Sequence, residues 1–231
     1  KYIKDNDFES AYLILREAEK NFPNEFSLIN LLAQILLRKK NLTDGINLLK
    51  KSLKINPKQP LVLVDLGIAL SLNNKLDEAL IFFDKSIELD STYIKAYLRK
   101  AITLRHLNRL SESIECFQKI IDLSPNHIDA YINKAEMLYD SGKLKESLNT
   151  YQKIFKMDSG NEDTYIKYGN VLNKLGKVDE AISSYQKSIE INPENSSAYR
   201  NLGYIYNNQG EFEEGIKCLR KSIEVNENQW K

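Results

Sequence analysis

The stretch Tyr165-Ile-Lys-Tyr-Gly-Asn-Val-Leu-Asn-Lys-Leu-Gly-Lys-Val-Asp-Glu-Ala-Ile-Ser-Ser-Tyr-Gln-Lys-Ser-Ile-Glu-Ile-Asn-Pro193 decides the fold. Its apolar residues recur at helical spacing, first as Tyr165, Tyr168, Leu172 and Leu175, then as Val178, Ile182, Tyr185, Ile189 and Ile191. Between the two stripes stands Gly176, a residue that enters left-handed backbone at little cost and so ends a helix. Asp179-Glu180 puts acid in the first turn of the second helix, where the helix dipole favours it. Pro193 cannot continue that helix and marks its end. The stretch predicts two antiparallel helices joined by a tight turn.

Moving outward, the same pattern returns every 34 residues. Pro23, Pro57, Pro125 and Pro193 are separated by multiples of that period. Ala11, Gly45, Ala79, Ser113, Ser147, Ala181 and Gly215 form one unbroken column of small residues, and Ala33, Gly67, Ala101, Ala135, Gly169 and Gly203 form a second. Small side chains are required where two helices cross closely. The turn column reads Asn6, Lys40, Asn74, Asn108, Gly142, Gly176 and Gly210. Lys40 is its exception, and the adjacent Asn41 is expected to take the left-handed role. A partial unit at 1–25 is thus followed by full units 26–59, 60–93, 94–127, 128–161, 162–195 and 196–229, read as one domain over 1–231. The prediction is an all-α fold, an open right-handed α-solenoid of antiparallel helix pairs.

On these residues the chain resembles the tetratricopeptide repeat family over essentially its whole length. The resemblance implies a scaffold that binds other proteins or peptides, with the first helices of successive units lining a concave groove. Taking residues four, three and four apart along each first helix gives one ridge per unit. The ridges are Ser27, Leu31, Gln34, Arg38; Leu61, Asp65, Ile68, Leu72; Lys95, Arg99, Ile102, His106; Asp129, Asn133, Glu136, Asp140; Asp163, Lys167, Asn170, Lys174; and Ser197, Asn201, Tyr204, Asn208. A basic ridge with Arg105 nearby precedes an acidic one, while Leu61, Val64, Ile68, Leu98, Ile102 and Ile132 add apolar character. The candidate groove residues are Lys95, Arg99, Ile102, Arg105, His106, Asn133, Glu136, Asn170 and Asn201. The competing reading is that adjacent ridges neutralise one another, since exposed ion pairs contribute only about 0–1 kcal/mol.

The chain carries two more specific resemblances. The family's clamp for a C-terminal carboxylate is matched at Lys95 and Arg99, but Asn30, Gln34 and Asp65 depart from it, and Asp65 would repel a carboxylate. Asn133, Asn170, Asn173, Asn201, Asn207 and Asn208 are similar to part of the asparagine ladder of O-linked N-acetylglucosamine transferases. That similarity implies the alternative function: a substrate-presenting arm of a larger glycosyltransferase. Departures within the repeat also carry expectations. Ile120 and Ile154 stand where Ala18, Ser52, Ser86, Ser188 and Ser222 put a small residue, and Lys100 and Lys134 stand where Leu32, Leu66, Tyr168 and Leu202 are apolar or aromatic. Altered local packing in units 94–127 and 128–161 is expected, or else lysine stems lying along the surface.

Composition narrows the remaining classes. The 33 Lys and Arg against 32 Asp and Glu give a formal charge of +1, without the basic excess of a nucleic-acid binder. Asp129, Glu136 and Asp140 interrupt any basic stripe, so RNA binding is the weakest reading. No apolar run is long enough to cross a bilayer. Cys116 and Cys218 occupy equivalent places three units apart, which argues against a disulfide and for a reducing, cytoplasmic compartment. His106 and His127 lack ligand spacing, and no phosphate loop or nucleophile motif is present, so neither metal, cofactor nor catalysis is expected. The glycosylation-like Asn41-Leu42-Thr43 and Asn195-Ser196-Ser197 are expected from the chain's richness in Asn. The stripe Ile216, Leu219, Ile223, followed only by Trp230 and Lys231, and the start at Lys1–Asp5 inside a first helix, predict continuation of the parent polypeptide or self-association through uncapped ends.

Overall fold

A computed structural model describes residues 8–158 and 160–228, the side chains of 227 and 228 excepted. The expectations for Lys1–Asp5, Asn6, Trp230 and Lys231 lie outside the described residues. Thirteen helices and no strand occur among the described residues: α1 (Phe8–Asn21), α2 (Phe26–Arg38), α3 (Leu42–Ile55), α4 (Pro60–Leu72), α5 (Leu76–Leu89), α6 (Ile94–His106), α7 (Leu110–Leu123), α8 (Ile128–Asp140), α9 (Leu144–Met157), α10 (Glu162–Lys174), α11 (Val178–Ile191), α12 (Ser196–Gln209) and α13 (Phe212–Asn228). They group into two compact units, Lys1–Leu123 and Ser124–Lys231. Within each unit, helices pack first as hairpins, such as α4 on α5 or α10 on α11, and then against the next hairpin. The fold is all-α, a repeat of stacked helix pairs.

Backbone geometry explains the turn column. Lys40, Asn74 and Asn108 have φ of 62°, 59° and 57°, and Gly142, Gly176 and Gly210 have φ of 78°, 76° and 82°. In each hairpin turn the left-handed residue lets two amides turn back onto the end of the first helix. The Gly176 amide donates to the Asn173 carbonyl (2.9 Å) and the Lys177 amide to Leu172 (3.0 Å). Lys40 does the same itself, donating to Leu37 (3.0 Å), while the Asn41 amide donates to Leu36 (2.9 Å). The expectation for Asn41 is therefore corrected. Asn41 has φ −84° and caps α3, its side chain accepting from the Asp44 amide at 3.3 Å. The turn's hydrogen bonds fix which position must be left-handed, whatever residue the sequence supplies there.

The small columns sit at close helix crossings. A Cβ on Gly67 would lie 2.4 Å from the Phe83 ring, and one on Gly169 would lie 2.7 Å from the Tyr185 ring. Where the column holds serine, the hydroxyl also bonds: Ser113 donates to the Ala101 carbonyl (2.9 Å) and Ser147 to Ala135 (2.8 Å). A second serine position ties two of the second helices to the start of their partners, with Ser86 donating to the Pro60 carbonyl (2.9 Å) and Ser222 to Ser196 (2.8 Å). Ile120 and Ile154 replace these bonds with fully buried hydrocarbon. Ile154 packs with Ala135, Tyr151 and Val171, close to an aromatic group in which Phe155 stacks on Tyr165 at 4.8 Å. Lys100 follows the surface alternative: half-buried, its ammonium bonds Asp84 at 2.6 Å.

Candidate functional site

In the unit Lys1–Leu123 the ridge positions of α2, α4 and α6 surround a hollow of about 300 Å³. Gln34, Leu37 and Arg38 line it from α2, Leu61, Asp65 and Ile68 from α4, and Lys95 from α6. Its polar side is internally satisfied: Lys95 pairs with Asp65 at 3.2 Å, and Gln34 Nε2 donates to the other Asp65 oxygen at 3.4 Å. Its apolar side is not covered. Leu61 is 47% exposed and Leu72, one turn beyond Ile68, is 69% exposed. Helix α4 is apolar almost all round, because Val64, Leu66 and Leu70 fill the core while Leu61, Ile68 and Leu72 face outward.

Among the other expected residues of this unit, Arg99, Arg105 and His106 are exposed and Ile102 is half-buried. Arg38 adds a further cation, its guanidinium 5.5 Å from the centre of the Phe8 ring. Val64 does not line the groove; it is fully buried, because its Cβ lies on the side of α4 that meets the core.

In the unit Ser124–Lys231 the expected residues are engaged with one another. Glu136 pairs with Lys167. Asn170 Oδ1 accepts from the Tyr185 hydroxyl at 2.8 Å and from Asn201 Nδ2 at 3.0 Å. Burial pushes the Tyr185 phenol up to about 12, so it remains a donor. Asn133 turns back on its own helix and donates to the Asp129 carbonyl at 2.7 Å. The Lys174 ammonium lies 4.6 Å from the centre of the Tyr139 ring. Ile132, half-buried, packs against the core group of Ala135 and Tyr151, and Asn207, also half-buried, sits at the α12–α13 crossing beside Gly215.

Sequence reasoning missed His127. Its Nδ1 accepts from the Ala130 amide at 3.3 Å and caps α8. Glu25, Gln59, Tyr93, Asn161 and Asn195 precede the first helices in the same column, and that alignment carried the signal. Cys116 and Cys218 are free thiols, and burial pushes the Cys116 thiol up to about 11, which makes it a poor nucleophile. Among the described residues no group of three His, Cys, Asp or Glu side chains could hold a metal, and no helix is long and apolar enough to cross a membrane. The stripe on α13 is only partly open: Ile216 and Ile223 are exposed, whereas Leu219 packs against Gly203.

Stacked hairpins of this length with small residues at every crossing define a repeat scaffold. Tetratricopeptide repeat models match residues 26–59, 94–127 and 128–161, residues 196–229, and residues 169–210. The chain belongs to the tetratricopeptide repeat family. Among solved structures it is similar to a tetratricopeptide repeat protein from Parabacteroides merdae ATCC 43184, with 17% identity, a TM-score of 0.70, and 97% of this chain and 89% of that one covered. It is also similar to YrrB, a repeat protein described as having an unusual peptide-binding site, at 24% identity and TM-score 0.63 over 77% of this chain and 91% of that one. MamA aligns at 23% identity and TM-score 0.65 over 71% and 95% of the two chains. No curated protein matches the chain.

Proposed function

We propose that the chain is a protein-interaction scaffold whose recognition surface in the unit Lys1–Leu123 is the hollow between α2, α4 and α6. One observation carries this reading: the outward ridge of α4 is apolar, with Leu61 and Leu72 exposed and Ile68 half-buried between them, while Arg38 lines the hollow beside it and Arg99 is exposed on α6. Apolar surface exposed on one helix flank and rimmed by charge is characteristic of binding faces. The hollow has room for a large apolar side chain, and the cations favour a ligand that carries carboxylates. The peptide-binding site attributed to YrrB supports peptide recognition as the class of activity.

The test is selection of a peptide library on the intact chain, followed by binding of the selected peptides to Ile68→Asp and to the double variant Lys95→Glu, Arg99→Glu. Selected peptides are expected to be lost from both variants and retained by Lys174→Glu, a control on the other unit. Retention on all three would overturn the assignment of the site.

A further inference from the structure

We infer that the ligand of this face is an acidic amphipathic helix laid along α4, an inference that rests on the site proposed above. The first argument concerns backbone hydrogen bonding. An extended peptide brings unpaired amides and carbonyls, which need partners from the surface when they are removed from water. The ridge of α4 offers three hydrocarbon side chains and Asp65, and Asp65 is already engaged by Lys95 and Gln34. An α-helix satisfies its own backbone and can lie on such a surface without leaving polar groups unpaired.

The second argument is spacing. Leu61, Ile68 and Leu72 stand at i, i+7 and i+11 on one face, a span of about 16 Å at the helical rise. A partner helix with an apolar stripe at i, i+4, i+7 and i+11 meets that face side by side. The third argument is charge. Arg38 lines the hollow beside the apolar line, Arg99 is exposed one turn beyond Lys95 on α6, and the one carboxylate in the line, Asp65, is neutralised by Lys95. Carboxylates flanking the ligand's stripe therefore complement these cations. The face in the other unit has the opposite character, since Asn170 and Asn201 place amide groups there.

The probes are three labelled synthetic peptides: a leucine-striped helix with glutamate flanks, the same sequence with two central prolines that forbid the helix, and the same sequence with lysine flanks. Binding is read by anisotropy and helix formation by circular dichroism. The glutamate helix is expected to bind with a gain of helical signal, and to weaken at least about tenfold on Ile68→Asp. It is expected to weaken in the same direction on Leu72→Asp, whose exposed position leaves folding intact. The proline and lysine peptides are expected to bind at least about tenfold more weakly. Equal binding of the proline peptide, lost on Ile68→Asp, would overturn the helical ligand while leaving the site standing. Equal binding of the lysine peptide would overturn the acidic assignment. If none of the three binds, the inference fails, and the library selection separately decides the site.

Discussion

The two units share one repeat register and present different chemistry on their first helices. In Lys1–Leu123 the ridge of α4 is hydrocarbon bordered by cations, and the large core ring at the helix crossing is Phe83. In Ser124–Lys231 the corresponding ring is Tyr185, whose hydroxyl reaches Asn170 and through it Asn201. The turns differ in the same way: Lys40, Asn74 and Asn108 are left-handed in the first unit, whereas glycine fills all three turns of the second. The repeat fixes where small residues and turns must fall; the side chains between those points are free to set the surface.

The largest expected effect lies at the core rings. Phe83→Ala should cost about 3–5 kcal/mol, read as a fall in urea midpoint, because the cavity under Gly67 has no other filler. A loss below about 1 kcal/mol would mean that the crossing collapses freely. Next come the turns. Gly176→Lys should destabilise by about 1–2 kcal/mol, and Lys40→Gly should gain up to about 1 kcal/mol. If both changes are neutral, the left-handed turn is not a point of strain.

Tyr185→Phe should cost about 1 kcal/mol, since Asn201 still donates to Asn170. Tyr185 holds its proton more tightly when folded, at about 12 against an ordinary 10. Its contribution is therefore complete below pH 10 and is lost as the pH rises through the folded value. Alkaline titration followed by tyrosinate absorbance should show a smaller loss of stability over that window in the phenylalanine variant; identical profiles would refute the role of burial. The smallest contrast is between two serines. Ser86→Ala should cost about 1 kcal/mol by removing the hydroxyl that donates to the Pro60 carbonyl. Ser188, whose buried hydroxyl has no hydrogen-bond partner among the described residues, should accept alanine at no cost.

Helices, crossings and turn positions were legible in the sequence because each is dictated by backbone geometry that recurs with the repeat. Residue preference favours Asn41 over Lys40 for the left-handed place, while the turn's hydrogen bonds select a position rather than a residue type. Val64, one residue short of the ridge position Asp65, is buried on the core side of α4, a rotation about the helix axis that its apolar character alone does not report. Neutralisation between adjacent ridges is one of the two readings the charge pattern allows; which residues pair, Lys95 with Asp65 and Glu136 with Lys167, depends on side-chain reach between neighbouring helices, which spacing along one helix does not report.

The cross-helix bonds also bear on how the chain assembles. Gln34 to Asp65, Lys95 to Asp65 and Asn201 to Asn170 each join partners about one period apart in sequence. Closing so short a stretch of chain costs little entropy at each step. Within a unit, ordering therefore advances like a zip, hairpin upon hairpin, with no distant strand to wait for. A broken tooth frays its neighbours and spares the rest.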